Sequence, residues 1–198
     1  MDTNNIKLFL VDLDGVIVHR ADFFSNRAKE LYPNANHDAI KEFFIGGAYK
    51  ETALGHKDLQ EALTEVLSSW NVSTGVEEVL QTWFAGENDV DDVVLQRIKE
   101  IRDSGVKCVV ATDHSTYRKK DVWEKLDMKD HFDGIVASAD MGATKEDAHF
   151  YKYAMEQFAI DDPSTVLFTD DDPENVKVAE SLGIKGVIFT GIESFEDF

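Results

Sequence analysis

Cations are scarce in this chain: 20 lysines and arginines stand against 39 aspartates and glutamates, a formal net charge of −19 over 198 residues. So acidic a surface repels nucleic acid and anionic membranes, and neither is expected as a partner. It also repels a phosphorylated substrate, so a phosphate site here must concentrate positive charge locally, most simply with a metal. Cysteine is almost absent. Cys108 stands alone, which excludes an internal disulfide, and its neighbours Val106, Val109 and Val110 mark it as a small buried hydrophobe. The six histidines are scattered, none paired at i, i+4, which argues against zinc. No apolar run approaches the roughly 20 residues that span a bilayer. The opening Met1-Asp2-Thr3-Asn4-Asn5 lacks a basic segment, and Asp12 breaks the apolar stretch behind it, so no signal peptide is expected. Internal repeats and low-complexity tracts are missing as well. These absences predict a soluble, cytoplasmic protein, expected to be a monomer.

What is present is enough for a core: 43% apolar residues, among them 13 phenylalanines, a composition unlike that of disordered chains. Short apolar runs predict strands at 8–11, 107–111, 134–137, 165–168 and 186–189. Helical patterns at 117–126, 146–158 and 174–182 fall between the later ones. Strands alternating with amphipathic helices predict an α/β fold with a parallel sheet, whose ligands gather at the carboxyl ends of the strands. Residues 17–95 differ. They hold no convincing strand and read as helices at 22–31, 37–45, 57–70 and 75–85; Leu59, Ala62, Leu63, Val66, Leu67 and Trp70 keep the i, i+3, i+4 rhythm. The acidic stretch 87–92 reads as the start of a further helix. A sheet begun at residue 8 is therefore interrupted by about 80 helical residues and resumed after 106. The predicted division is a catalytic core of 1–16 and 96–198 with a helical cap of 17–95.

The first strand ends in Val11-Asp12-Leu13-Asp14-Gly15. Backbone alternation puts positions 12 and 14 on one side of the chain. Two carboxylates so close call for a cation and a phosphate, the elements of phosphoryl chemistry, although Asp and Gly also favour turns. The later strand ends carry Ala111-Thr112-Asp113-His114-Ser115, then Gly142-Ala143-Thr144-Lys145, then Thr169-Asp170-Asp171-Asp172-Pro173-Glu174-Asn175. Singly these read as helix caps and solvated charges. Together they bring a hydroxyl, an ammonium and further carboxylates to the edge that holds Asp12 and Asp14.

The order of these motifs resembles the haloacid dehalogenase superfamily of phosphatases, and the resemblance runs over nearly the whole chain. The family's DxDG matches Asp12-Leu13-Asp14-Gly15, its strand-terminal Thr or Ser matches Thr112, its helix-opening Lys matches Lys145, and its acidic pair matches Asp170-Asp171. The segment 165–190 looks like the branch containing sugar-phosphate phosphatases of the glucose-1-phosphatase type. The chain departs from the pattern at Asp113, where Asn is frequent, at Glu146, where Pro is common, and at Asn175, where many members carry a second acid.

The resemblance implies Mg²⁺-dependent hydrolysis of a small phosphate monoester, such as a sugar phosphate, through an aspartyl-phosphate. Asp12 would be the nucleophile, Asp14 the general acid and then base, Thr112 a phosphate anchor and Lys145 the charge screen. The metal would rest on Asp12, the backbone carbonyl of Asp14 and Asp171, with Asp170 either supporting or replacing the last. A phosphomutase on the same scaffold, or a non-catalytic phosphate-binding protein, remains an alternative. A dehalogenase would not need the second acid, because a leaving halide takes no proton. In the cap, Phe43-Phe44-Ile45-Gly46-Gly47 is expected to reach the site, and His19 and Arg20 are candidates for substrate contact or hinge.

Overall fold

The computed structural model describes residues 5–19 and 22–195, so Arg20 lies outside the described residues. Five strands form one parallel sheet: β1 (Leu8–Asp12), β2 (Lys107–Thr112), β3 (Gly134–Ala137), β4 (Val166–Asp170) and β5 (Lys185–Ile188). Their order is β3-β2-β1-β4-β5, so the first strand is central and paired on both edges. All five residues of β1 are buried. Alternation along it feeds both faces of the sheet. Phe9 and Val11 pack with one apolar cluster, which includes Val94 and Ile98 of α6 (Asp92–Asp103) and Val122 of α7 (Thr116–Lys125). Leu8 and Leu10 pack with the other, against Phe150 of α9 (Ala148–Gln157) and Ala179 of α10 (Pro173–Ser181). A sheet covered on both faces is the arrangement that runs of Val, Leu and Ile without polar interruption require. Cys108 is fully buried in the first cluster, and burial together with nearby Asp133 pushes its thiol up to about 12.

The helices after β1 are α1 (Phe24–Leu31), α2 (His37–Ile45), α3 (Ala48–Ala53), α4 (Leu59–Trp70) and α5 (Val76–Ala85). They enclose a third apolar cluster rich in aromatics, including Phe24, Phe43, Trp70 and Trp83. Four of the five match the predicted helices. The sixth helix of the stretch begins at Asp92, with Asp91 as its side-chain cap, as the acidic run suggested. Two short helices were not legible: α3, which starts after Gly47 at φ 95°, and α8 (Met128–His131). Each is too brief to show a period.

The two seams of the helical insert meet at the isolated bridge Val18–Val90, where Asp91 N donates to Ile17 O and His19 N to Asp89 O. Arg118 of α7 reinforces this seam from below. It is 1% exposed, and its guanidinium donates to Asn88 Oδ1 at 2.7 Å, Asp121 Oδ2 at 2.8 Å and the carbonyl of Glu87, while lying over the Phe84 ring.

Candidate active site

Parallel pairing sets the depth of each strand end. Asp12 lies beside Ala111 in the register of β1 and β2, so Thr112 stands one residue further along. Thr112 is buried at the end of β2. Asp170 ends β4, the other neighbour of β1, and Asp171 follows it. Asp12, Asp170 and Asp171 each offer a carboxylate oxygen, and the three oxygens lie within 4.8 Å of one another. Gly15, at φ 90°, turns the chain away from this group. A Cβ there would collide with the carboxylate of Asp171, so the position requires glycine on two counts.

Lys145 enters from the loop after β3. Its Nζ lies 2.5 Å from Asp12 Oδ1 and 2.8 Å from Asp170 Oδ2. Burial works against its charge, but Asp12, Asp170 and Asp113 outweigh burial and raise its pKa, so the ammonium is held firmly charged. For Asp12, burial is the largest influence; with the repulsion of Asp170 it overrides the pull of Lys145 and pushes the carboxyl well above the usual range. Three carboxylates thus converge beside one ammonium. Their oxygens are the hard donors that a small divalent cation takes, so the residues present fit such an ion.

Asp170 is the most committed of the three. Its Oδ1 accepts from the Asp172 amide at 2.8 Å, and its Oδ2 accepts from Lys145 and, at 3.1 Å, from Asn175 Nδ2. Both oxygens are engaged, whereas on Asp12 the Leu13 amide and Lys145 share one oxygen, Oδ1. The Asn175 departure thus has a use: it braces Asp170. Asp113 also acquires one. Its carboxylate accepts the Lys145 backbone amide at 3.1 and 3.3 Å and so pins the loop that delivers the ammonium. Glu146 is exposed.

Asp14 lies beyond the end of the strand. Strand β1 stops at Asp12, so strand alternation does not carry to residue 14. A turn sets its direction: Ile17 N and Val18 N donate to Leu13 O, and Gly15 N donates to Val18 O. The side chain of Asp14 stands outside the three-carboxylate group and meets His114, whose Nε2 lies 2.7 Å from Asp14 Oδ2. The other ring nitrogen of His114 is 3.1 Å from Tyr49 Oη, on α3. Burial raises the Asp14 pKa, but the charge and hydrogen bond of His114, helped by Arg118 and Lys145, overcome it and bring the group to about 2. The sequence pattern around His114 gives only a helix-cap cluster and misses this role. Ser115 is in fact the cap, accepting the Arg118 amide. A histidine one residue from the cap, at the mouth of a strand, was the available signal.

A cavity of about 410 Å³ opens from Asp14 and His114 towards the helical insert. Phe44 and Ile45 line it, as expected of their segment, whereas Gly46 and Gly47 do not and Phe43 is buried in the insert's own cluster. His19 lines it too, 3.7 Å from Asp91.

The haloacid dehalogenase-like hydrolase family model matches residues 6–183. A glyceraldehyde 3-phosphate phosphatase of Methanocaldococcus jannaschii is 28% identical over 93 residues, 46% of this chain and 40% of its own length. A sesquiterpene phosphatase of Aspergillus oryzae is 32% identical over 93 residues, 47% of each protein. The matched segment is thus less than half of either curated relative. A haloacid dehalogenase family enzyme of Bacteroides thetaiotaomicron, crystallised as a mutant with magnesium and inorganic phosphate, superimposes with a TM-score of 0.76 at 22% identity, covering 91% of this chain and 92% of that one. At that identity the likeness speaks for the fold. No helix among the described residues is long and apolar enough to cross a membrane. With motifs, topology and the match over 6–183 in agreement, the chain belongs to the haloacid dehalogenase-like hydrolase family.

Proposed function

We propose that this protein is a Mg²⁺-dependent phosphatase of small phosphate monoesters, working through an aspartyl-phosphate on Asp12. The observation that carries the reading is the buried knot of Lys145 with Asp12 and Asp170, beside Asp171. Phosphatases among the curated relatives, and magnesium with phosphate in a structural neighbour, point the same way.

In this reading Asp12 attacks phosphorus from the end of the central strand. Lys145 screens the repulsion between that carboxylate and the phosphate, as a compact point charge. Thr112 holds a phosphate oxygen at the end of the neighbouring strand. Asp12, Asp171 and the Asp14 carbonyl hold the metal, and Asp170 orients Lys145 and supports the cluster. Bound Mg²⁺ would neutralise charge on the transferring phosphoryl group. Asp14 manages the proton at the leaving oxygen. His114 keeps it anionic in the ligand-free protein, ready to receive a proton from the water that attacks the acyl-phosphate; in the first step the same contact gives it a neighbour from which a proton can come. Residues 1–16 and 96–198 supply this machinery and 17–95 supply the cap, with the hinge near the Val18–Val90 bridge. The reaction would take place in the cytoplasm. A sugar ester, expected from the branch resemblance, finds little support in the cavity lining, and the reading is kept to monoesters.

The test is direct. With Mg²⁺ the protein should release phosphate from p-nitrophenyl phosphate and release no halide from 2-chloropropionate. A folded protein that frees halide and not phosphate would overturn the reading. The role of His114 is checked separately. His114→Phe keeps a ring and removes both nitrogens, and should lower kcat about 10²-fold with little change in KM. An unchanged kcat would show that Asp14 does not depend on it.

A further inference from the structure

Resting on that reading, the lining of the cavity says more about the leaving group. Its wall beyond Asp14 and His114 is built by Phe23, Phe24, Phe44, Ile45, Tyr49 and Trp83. Two of these, Phe23 and Ile45, are 65% and 69% exposed and line the same cavity, so they add to one apolar patch rather than standing singly. The neutral polar groups along the wall, Ser25 apart, are already in use. Tyr49 Oη is bonded to His114. Trp83 Nε1 donates to Glu87 Oε1 at 2.8 Å, so the indole shows the cavity its ring rather than its N–H. The charged groups on the wall are Asp14, Asp113 and Glu87, and among the described residues no lysine or arginine joins them. Among the described residues of the wall, a second phosphate or a carboxylate on the leaving group would meet three carboxylates and two histidines. A sugar could bond some of its hydroxyls to the carboxylates, but those set against the aromatic faces would lose hydrogen bonds to water that are not remade.

We propose that the cavity receives the uncharged, apolar part of a phosphate monoester: an alkyl, prenyl or aryl group seated against Phe23, Phe44, Ile45 and Trp83, with its phosphate at Asp12. At about 410 Å³ the space lies within the usual range for small-molecule pockets. Phe23 and Ile45 are the rim that the ligand covers. Trp83 and Phe44 meet edge to face with centroids 5.0 Å apart and give the wall a fixed shape.

n-Hexyl phosphate and glucose 6-phosphate separate the two chemistries, since both leave as primary alkoxides and differ only in the group that the alkoxide carbon bears. In the wild-type protein with Mg²⁺, kcat/KM for hexyl phosphate should exceed that for glucose 6-phosphate and for methyl phosphate at least about tenfold. Ile45→Asp and Phe23→Asp change exposed side chains and spare the folded core; each should cut the hexyl-to-methyl ratio about tenfold. Calorimetric titration of the Asp12→Asn protein supplies a readout without turnover, and there hexyl phosphate should bind at least about tenfold tighter than glucose 6-phosphate. Preference for glucose 6-phosphate in both assays overturns the proposal and leaves the phosphatase reading standing. Tight binding of hexyl phosphate with no hydrolysis of any ester supports the pocket assignment and defeats the phosphatase reading. A hexyl-to-methyl ratio unmoved by either rim variant overturns the assignment of the rim.

Discussion

Asp12→Asn should abolish turnover while leaving the protein folded. The substitution keeps the shape and the hydrogen-bond acceptor but removes the anionic nucleophile, and the rate should fall at least about 10³-fold, to the level that binding and positioning alone sustain. The fold should survive because the site does not lose its balance. Lys145 retains Asp170 at 2.8 Å as a partner. Burial and the repulsion of Asp170 both work against a charge on Asp12, so its removal also relieves an unfavourable interaction. Steady-state phosphate release measures the first part, and the far-UV circular dichroism spectrum with a thermal melt measures the second. Phosphatase activity within tenfold of wild type in a folded variant would exclude Asp12 as the nucleophile.

Chelation should have an effect of similar size. EDTA is expected to remove all measurable activity, and Mg²⁺ in excess should restore it. The structural reason is that three carboxylates offer oxygens within 4.8 Å of one another, two of them on one ammonium, in a chain of net charge −19. Without a divalent ion the site would have to accept a phosphate dianion against that field. Asp171→Ala should raise the Mg²⁺ concentration needed for half-activity about 10- to 100-fold and change maximal activity less. The Asp171 side chain lies against the Gly15 turn, at the edge of the sheet beyond the end of β4. Full activity in EDTA would refute a metal-dependent mechanism.

The five strands and their order of use were legible because buried strands in a parallel sheet need uninterrupted apolar runs, and the chain supplies five of them with polar residues at one end. The candidate site residues stood out for a related reason: Asp12, Thr112, Asp170 and Asp171 close such runs or follow them directly, and Lys145 comes just before the helical pattern that follows the third. What escaped the sequence was anything decided by direction. Asp14 and His114 are 100 residues apart, and nothing in their neighbours says that a turn at Leu13 aims one at the other. Asp113 stands out in the sequence as an unwelcome charge, yet its oxygens rest on the Lys145 amide. In the insert, helical periodicity identified the apolar faces but could not divide them. Phe43 and Phe44 are adjacent, yet Phe43 is buried in the cluster while Phe44 packs against it and also lines the cavity. One residue is a rotation of about 100° on a helix, enough to bring the second side chain to the cavity wall.

The central position of β1 has a consequence for how firmly the site is framed. Asp12 rides on a strand hydrogen-bonded to β2 and β4, and Asp170 ends the latter. The backbones that carry these two carboxylates are therefore held at the spacing of adjacent strands, about 4.8 Å, which the ladder dictates and no side-chain substitution alters. A substitution at either position changes the chemical group that is presented and leaves its neighbour's backbone in place, so the sheet acts as a frame in which the donor atoms can be exchanged one at a time.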